Sequence, residues 1–149
     1  MTHNAEQVEY VQADTALRER VAREWGELQA RHMHVDDGFT IVAIAGDRLA
    51  GLLAVEWREL PHPFAGVREA FIDIIEVRPE FRRRGIATRM IGKAAWRAKS
   101  AGACQLRAWS SGDKTEAIAL WHALGFGLAP AVVHPRGQEV KGFFVTKTL

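Results

Sequence analysis

The sequence predicts a mixed α/β fold, in which a mostly antiparallel sheet of six or seven strands is flanked by helices. Apolar residues alternate along several short segments and recur at helical spacing in three longer ones. Strand-like and helix-like segments also alternate in the second half of the chain. With 149 residues, of which 48% are hydrophobic and 26% charged, the chain can bury one core of ordinary size. We therefore expect a single domain over residues 1–149.

The first half of the chain has the pattern of antiparallel strands and one helix. The helix is expected to begin at Asp14 or Thr15 and to fade near residues 32–37. Gly46-Asp47-Arg48 suits a hairpin turn, because glycine takes a positive φ without strain. Pro79 prevents the last of these strands from continuing. The predicted strands of this half are residues 7–12, 39–45, 49–60 and 67–77.

The second half alternates between helices and strands. Residues 85–101 carry an apolar face at helical spacing, and Gly102 is suited to end this helix. A second helix, capped by Asp113 or Thr115, ends before Gly125. The predicted strands of this half are residues 104–109, 126–133 and 142–147. The strand–helix–strand units predict a local parallel pairing inside an otherwise antiparallel sheet.

Charge and cysteine content exclude several classes of function. There are 20 Lys and Arg against 18 Asp and Glu, a net charge of +2, which is too small for general binding of nucleic acid. Cys104 is the only cysteine, so we expect no disulfide, no metal and a reducing, cytoplasmic location. No apolar run is long enough to span a membrane, and the N-terminus does not resemble a secretion signal. We expect a monomer or homodimer that acts without membrane or nucleic acid.

The turn between the fourth strand and the long helix is the segment that indicates chemistry. Free backbone N–H groups at a helix start, together with the helix dipole, favour phosphate. Arg82, Arg83 and Arg84 add positive charge, and Gly85 allows a ligand to approach the backbone. Thr88 offers a hydroxyl group. The turn therefore predicts a pyrophosphate site, the alternative being a solvated basic loop in which Gly85 only relieves a tight turn.

Two motifs resemble those of the GCN5-related N-acetyltransferases. Residues 77–87 (VRPEFRRRGIA) are similar to the acetyl-CoA pyrophosphate loop of that family, and residues 117–126 (AIALWHALGF) resemble its second conserved helix. The resemblance covers most of the chain and implies the acyl-CoA N-acyltransferase fold, with acetyl-CoA as co-substrate. The strands at 67–77 and 104–109 would splay apart to form the slot for it.

The same resemblance implies roles for individual residues. Backbone groups of Ile75 and Val77 would bind the pantetheine arm and polarise the thioester carbonyl. The remaining cofactor-binding residues, around the pyrophosphate, would be Arg82, Arg83, Arg84, Gly85, Ile86, Ala87 and Thr88.

Acyl transfer to an amine also needs a group that removes a proton, because an alkylammonium has a pKa of about 10.4. Asp73 and Glu76 are the nearest acids in the sequence. Their odd spacing places them on opposite faces of a regular strand, so only a bulge would bring both toward one site. The resemblance to aminoglycoside-acetylating relatives favours Asp73, whereas Glu76 lies nearer the expected thioester.

The departing thiolate is the point where the sequence departs from the family. The tyrosine that usually protonates it aligns with Trp121, which lacks a useful acidic proton and fits core packing. Either water protonates the thiolate, or His122 or Ser110 substitutes for the tyrosine. Lys114 stands where many relatives carry an asparagine that contacts the cofactor.

We expect an acetyl-CoA-dependent N-acetyltransferase that transfers acetyl directly from the thioester to a primary amine of a small molecule or peptide. The alternatives are a catalytically weak acyl-CoA sensor or an RNA-binding domain that uses Arg82–Arg84. Acids in the acceptor region suit a cationic amine, although acidic loop residues are also commonly just solvated. The residues expected near the acceptor are His32, His34, Asp36, Asp37, Glu56, Glu59, His62, His134 and Arg136.

Overall fold

The structure, a computed structural model that describes residues 7–149, is a seven-stranded sheet with helices on both faces. The strands are β1 (Val8–Gln12), β2 (Gly38–Ala45), β3 (Arg48–Glu59), β4 (Arg68–Val77), β5 (Gln105–Ser111), β6 (Gly127–Val133) and β7 (Val140–Thr148). The helices are α1 (Thr15–Glu24), α2 (Glu27–Arg31), α3 (Ile86–Ser100) and α4 (Thr115–Ala123), with 3₁₀ turns at Pro79–Phe81 and Pro135–Gly137. Within residues 7–149, no helix has the length and apolar character that crossing a membrane requires.

The strand order, β1-β2-β3-β4-β5-β7-β6, confirms the predicted mixed sheet. β4 and β5 pair in parallel, and every other neighbouring pair is antiparallel. The unit β4–α3–β5 therefore forms the parallel pairing that the sequence predicts. The unit β5–α4–β6 does not form one, because β7 lies between β5 and β6.

Two helix boundaries differ from the predicted ones. Asp14 caps α1 as expected, its carboxylate accepting a hydrogen bond from the Leu17 N–H at 2.8 Å. The first helix, however, ends at Glu24, and α2 begins after Gly26, whose N–H donates back to the Val21 carbonyl. At the start of α4 the cap residue is Lys114, and neither Asp113 nor Thr115 provides the predicted side-chain cap. Apolar periodicity alone did not reveal either feature.

The sheet separates two apolar cores. The larger core lies between one face of the sheet and the helices α3 and α4, and includes Met90, Ala94 and Trp121. The smaller core lies on the opposite face, under α1 and α2, and includes Val21 and Ala30. The two sides of β4 therefore face different helices, which decides where each of its side chains points.

A buried ion pair fastens the parallel pairing of β4 and β5. Glu69 is 2% exposed and accepts hydrogen bonds from Arg107 at 2.6 and 2.9 Å and from Gln105 at 2.7 Å. Burial raises the pKa of the Glu69 carboxyl, but the hydrogen bonds from Arg107 and Gln105 outweigh it, so the pKa lies below its ordinary value. Glu69 therefore stays ionised and holds β5 against β4.

We expect Arg107→Ala to lower the free energy of unfolding at pH 7 by about 3 kcal/mol, since it leaves a buried carboxylate unpaired. Because the folded pKa of Glu69 is lowered, the pair stabilises the fold above the ordinary value of 4.5 and less as the pH falls. Urea denaturation at pH 7 and pH 3.5 measures both effects. The control is Glu24→Gln, which removes the half-exposed pair with Arg20 and costs at most about 1 kcal/mol. Equal losses in the two variants would contradict the role of Glu69.

Candidate active site

The ladder between β4 and β5 stops early and leaves a slot between the two strands. Only Ala70–Ile72 pair with Leu106–Ala108, whereas β4 continues to Val77 and β5 to Ser111. A cleft of about 1230 Å³ opens from this slot toward the helices α3 and α4. It is lined by Ile74–Val77 of β4, by the turn before α3, and by residues from Asp113 to Trp121.

Backbone groups of β4 point into the slot. The Arg78 N–H donates to Ala50 of β3 at 2.9 Å. Because backbone groups alternate sides along a strand, Glu76 also faces β3, and Ile75 and Val77 face the slot. The Val77 carbonyl accepts a hydrogen bond from the Arg82 side chain at 3.2 Å, on the side away from β3. The backbone N–H and C=O groups of Ile75 and Val77 thus face the slot and not β3.

The turn before α3 collects free amide groups. Arg83 and Gly85 have positive φ angles of 64° and 75°, so the chain curls and its N–H groups converge. The Arg89 N–H donates to the Gly85 carbonyl, but the N–H groups of residues 83–88 have no acceptor within the described chain. A Cβ on Gly85 would meet no atom within 4 Å, so this residue borders open space. The turn has the form of an anion-binding nest.

The predicted pyrophosphate residues are distributed unevenly around this nest. Most of them line the cleft, namely Arg82, Arg83, Gly85, Ile86, Ala87 and Thr88. Arg84 does not line it, and its guanidinium lies 5.3 Å from the centre of the Phe81 ring. Lys114 lines the opposite side of the cleft and adds a positive charge there.

A β-bulge brings the two candidate carboxylates to one face of the sheet. Val55 pairs with Ile72 and Ala54 with Ile74, so Asp73 is the extra residue in β4. Beyond the bulge the alternation is inverted, and Ile72 and Ile75 both face the larger core. Asp73 and Glu76 consequently both face α1 and α2, although the regular-strand rule would separate them.

The two carboxylates have different partners. Glu76 accepts a hydrogen bond from the Gln29 side chain at 3.1 Å and lines the cleft. Asp73 lies next to the last pair of the β4–β5 ladder, at the closed end of the slot, with its side chain 26% exposed. The His34 Nε2 lies 2.9 Å and the His32 Nδ1 3.3 Å from one oxygen of Asp73.

His34 lies between two carboxylates. Its Nε2 contacts Asp73, and its Nδ1 lies 3.0 Å from the carboxylate of Asp37, while Glu56 lies 3.7 Å from Nε2. Burial lowers the pKa of His34, but hydrogen bonds to Asp73 and Asp37 outweigh it, so the pKa lies above its ordinary value. The hydrogen bond with His34 in turn lowers the pKa of Asp37.

The same cluster bears on metal binding. His34, Glu56 and Asp73 each bring one ligand atom within 4.8 Å of the others, a spacing that the sequence did not reveal. Both ring nitrogens of His34 already face carboxylates at hydrogen-bond distance. Each nitrogen therefore lies where it can share a proton with a carboxylate oxygen.

The groups proposed to protonate a leaving thiolate differ in placement. Trp121 is 3% exposed, packs edge-on against Phe126 with ring centres 4.8 Å apart, and lines the cleft. His122 is exposed, and Tyr10 lies on β1 at the far edge of the sheet. Ser110 is 4% exposed, and its hydroxyl is the one buried side-chain oxygen or nitrogen in residues 7–149 that has no hydrogen-bond partner.

The remaining residues expected near the acceptor do not join the cluster around His34. Glu59 instead accepts a hydrogen bond from the Gly66 N–H within the loop between β3 and β4. His134 and Arg136 lie in the turn between β6 and β7. The contact between His34 and Asp73 joins residues 39 positions apart and had no signal in the sequence.

The model of the acetyltransferase (GNAT) family matches residues 2–126. The chain belongs to this family. The matched region includes both motifs singled out in the sequence, at 77–87 and 117–126. A comparison with curated proteins found no match to the sequence.

Solved structures of this family share the fold. Arabidopsis thaliana NAA60 in complex with a bisubstrate analogue superposes with a TM-score of 0.77 and 13% identity, covering 95% of this chain and 98% of that one. The ribosomal-protein-S18-alanine N-acetyltransferase from Escherichia coli gives 0.72 and 15%, covering 95% and 94%. The spermidine/spermine N-acetyltransferase SpeG from Vibrio cholerae, in complex with manganese ions, gives 0.68 and 17%, covering 97% and 94%. These identities establish a common fold only.

We expect Gly85→Glu to abolish binding of CoA, because its carboxylate would occupy the anion site. The left-handed backbone costs about 1 kcal/mol for a residue other than glycine, so the protein stays folded. Gly46→Glu is a matched control, since Gly46 also has a positive φ and open space but lies in the turn between β2 and β3. Calorimetric titration with CoA measures the difference. Equal affinity of the two variants would contradict the anion site.

Proposed function

We propose that the protein is an acetyl-CoA-dependent N-acetyltransferase that transfers the acetyl group directly from the thioester to a primary amine. The observation that carries this proposal is the open slot between β4 and β5, which ends in a turn with six free amide groups. A single domain over residues 1–149 would contain the whole site. Family membership supports the reaction class, and the arrangement of the slot supports the direct route.

The co-substrate fits the cleft on the side of α3 and α4. The free amides of residues 83–88 would hold its diphosphate, with Arg82, Arg83 and Lys114 adding positive charge. Backbone groups of Ile75 and Val77 would extend along the pantetheine arm in the manner of an added strand. When bound, acetyl-CoA supplies an acyl group activated as a thioester.

The acceptor would approach from the opposite face, under α1 and α2. Asp73 lies there at the closed end of the slot, where a chain that starts at the diphosphate and follows β4 would end. Its free oxygen would take the proton from the attacking amine. The N–H of Val77 or Ile75 would stabilise the developing oxyanion, because a fixed strand amide needs little reorganisation.

The acceptor is proposed to be a cationic amine of a small molecule or a peptide. Four carboxylates face this side of the sheet, at Asp37, Glu56, Asp73 and Glu76, and His34 compensates only part of their charge. Of the structural relatives named above, one is described as a ribosomal-protein-S18-alanine N-acetyltransferase and another as a spermidine/spermine N-acetyltransferase, which supports either class. A reducing cytoplasm fits the free Cys104. The proposed assembly is a monomer or a homodimer.

A catalytically weak acyl-CoA sensor is the second candidate. It is favoured by one observation, the buried Trp121 in the place of the usual tyrosine. A sensor would bind CoA without turnover, so the two candidates are separated by an activity assay.

Thiol release from acetyl-CoA, measured with polyamines, aminoglycosides, amino acids and peptide N-termini, tests the function. We expect turnover with a cationic amine, and a loss of kcat of about 10²-fold or more in Asp73→Asn, because the base is removed. Glu76→Gln should lose less. The reverse order would assign the base to Glu76, and CoA binding without any turnover would support the sensor.

Ser110→Ala tests whether the unpartnered hydroxyl assists the leaving group. We expect unchanged or slightly higher stability, because a buried hydroxyl without a partner is removed. In the same variant kcat should fall about tenfold with unchanged affinity for CoA, since the departing sulfur loses a hydrogen-bond donor. Thermal melts and initial rates measure both quantities. Unchanged kcat would leave water or His122 as the proton source.

A further inference from the structure

We propose that His34 and Asp37 form a proton outlet that carries the proton taken up by Asp73 to solvent. This inference rests on the proposed function and extends it with two residues that the family motifs do not include. In this arrangement His34 is a positioning residue, because it acts through Asp73 and does not touch the acceptor.

The geometry is a continuous path. The Asp73 carboxylate lies 2.9 Å from the His34 Nε2, and the His34 Nδ1 lies 3.0 Å from the Asp37 carboxylate. The exposed fraction of the side chain is 26% at Asp73, falls to 11% at His34 and reaches 68% at Asp37. The imidazole thus connects a half-buried carboxylate to one that is in water.

The reaction requires such a path because a proton must leave the site in each turnover. An acceptor that binds as an ammonium loses two protons when its nitrogen forms the amide bond and the bond between carbon and sulfur breaks. One proton balances the departing thiolate, and the other is released to solvent. Asp73 must lose its proton before it acts again, and the neighbouring imidazole is the group that can accept it.

The active form of this pair has a neutral imidazole. His34 then donates from Nδ1 to Asp37, and its Nε2 lone pair faces Asp73, so a proton arriving at Asp73 is shared with Nε2. The resulting imidazolium releases its Nδ1 proton through Asp37. After the product leaves, Nε2 loses its proton to water and Nδ1 regains one from solvent, which restores the starting tautomer. When His34 is already protonated before the amine arrives, both ring nitrogens carry a proton. The ring then cannot accept another proton from Asp73.

The charged surroundings of His34 determine the pH at which this form appears. Asp37 and Asp73 contact the ring, and Glu56 of β3 lies 3.7 Å from Nε2 while paired with Arg58. His32 contacts the same oxygen of Asp73. From α1, the positive charge of Arg18 acts on Asp37. Carboxylates predominate, and they raise the pKa of His34 above its ordinary value.

The first measurement is the pH dependence of kcat/KM for thiol release, with EDTA present to exclude metal ions. We expect kcat/KM to rise with pH in a limb that lies above pH 6.5, because only neutral His34 accepts a proton. Asp37→Asn should move this limb to lower pH by about one unit, since it removes a negative charge at 3.0 Å. His34→Gln should remove the limb and lower kcat more than it changes KM.

The second measurement is an NMR titration of the His34 ring, which needs no substrate. His34→Gln assigns the resonance, and Asp37→Asn should lower the measured pKa in step with the kinetic limb. His62→Gln is the matched control, because His62 lies in the loop between β3 and β4 and should leave limb and titration unchanged. Asp37 is exposed, so its variant remains informative if His34→Gln fails to fold.

The outcomes separate this proposal from the proposed function. If His34→Gln and Asp37→Asn both turn over, and the rising part of their kcat/KM profile stays at the same pH, the proton outlet is overturned. The proposed acetyltransferase activity is then unaffected. A His34 pKa at or below 6.5 that Asp37→Asn does not change would also overturn it. No turnover with any amine would overturn both.

Discussion

Three residue pairs hold the parallel seam between β4 and β5, and the point at which this seam ends determines the rest of the site. At the end of the seam away from the slot, the buried Glu69 binds Arg107 and Gln105, which fixes the two strands together. At the other end, immediately after the last paired residue Ile72, the bulge at Asp73 bends β4 where its pairing with β5 stops. The opening is therefore part of the sheet itself and requires no movement of a loop.

The open seam connects two faces of opposite electrostatic character. On one face, the turn at residues 82–88 presents arginines and unpaired amides, which favour an anion. On the other face, carboxylates from three separate segments surround His34, which favours a cation. Two charged reactants would thus be attracted from opposite sides and meet where Asp73 lies. This separation would also keep a diphosphate away from the acidic cluster.

Local patterns predicted the elements of the fold well, and long-range contacts were beyond them. Alternation located the strands, and the arginine–glycine pattern located the turn with unpaired N–H groups before α3, because both depend on neighbouring residues. The bulge at Asp73 carries no glycine or proline signal, and it inverted the rule that had separated Asp73 from Glu76. The break at Gly26 and the insertion of β7 beside β5 depend on tertiary packing. The sequence placed His34 among the residues expected near the acceptor amine. It could not indicate the contact with Asp73, which lies 39 positions away.

The acidic cluster and the turn before α3 come from different parts of the chain, so each can change in sequence without the other. The cluster's histidines and Asp37 come from the connection between α2 and β2, whereas the anion nest comes from the turn before α3. Under the proposed function, changes in the former connection would alter the charge and shape met by an amine and leave the turn before α3 untouched. Selection could then revise the acceptor half of the reaction while the coenzyme half persists.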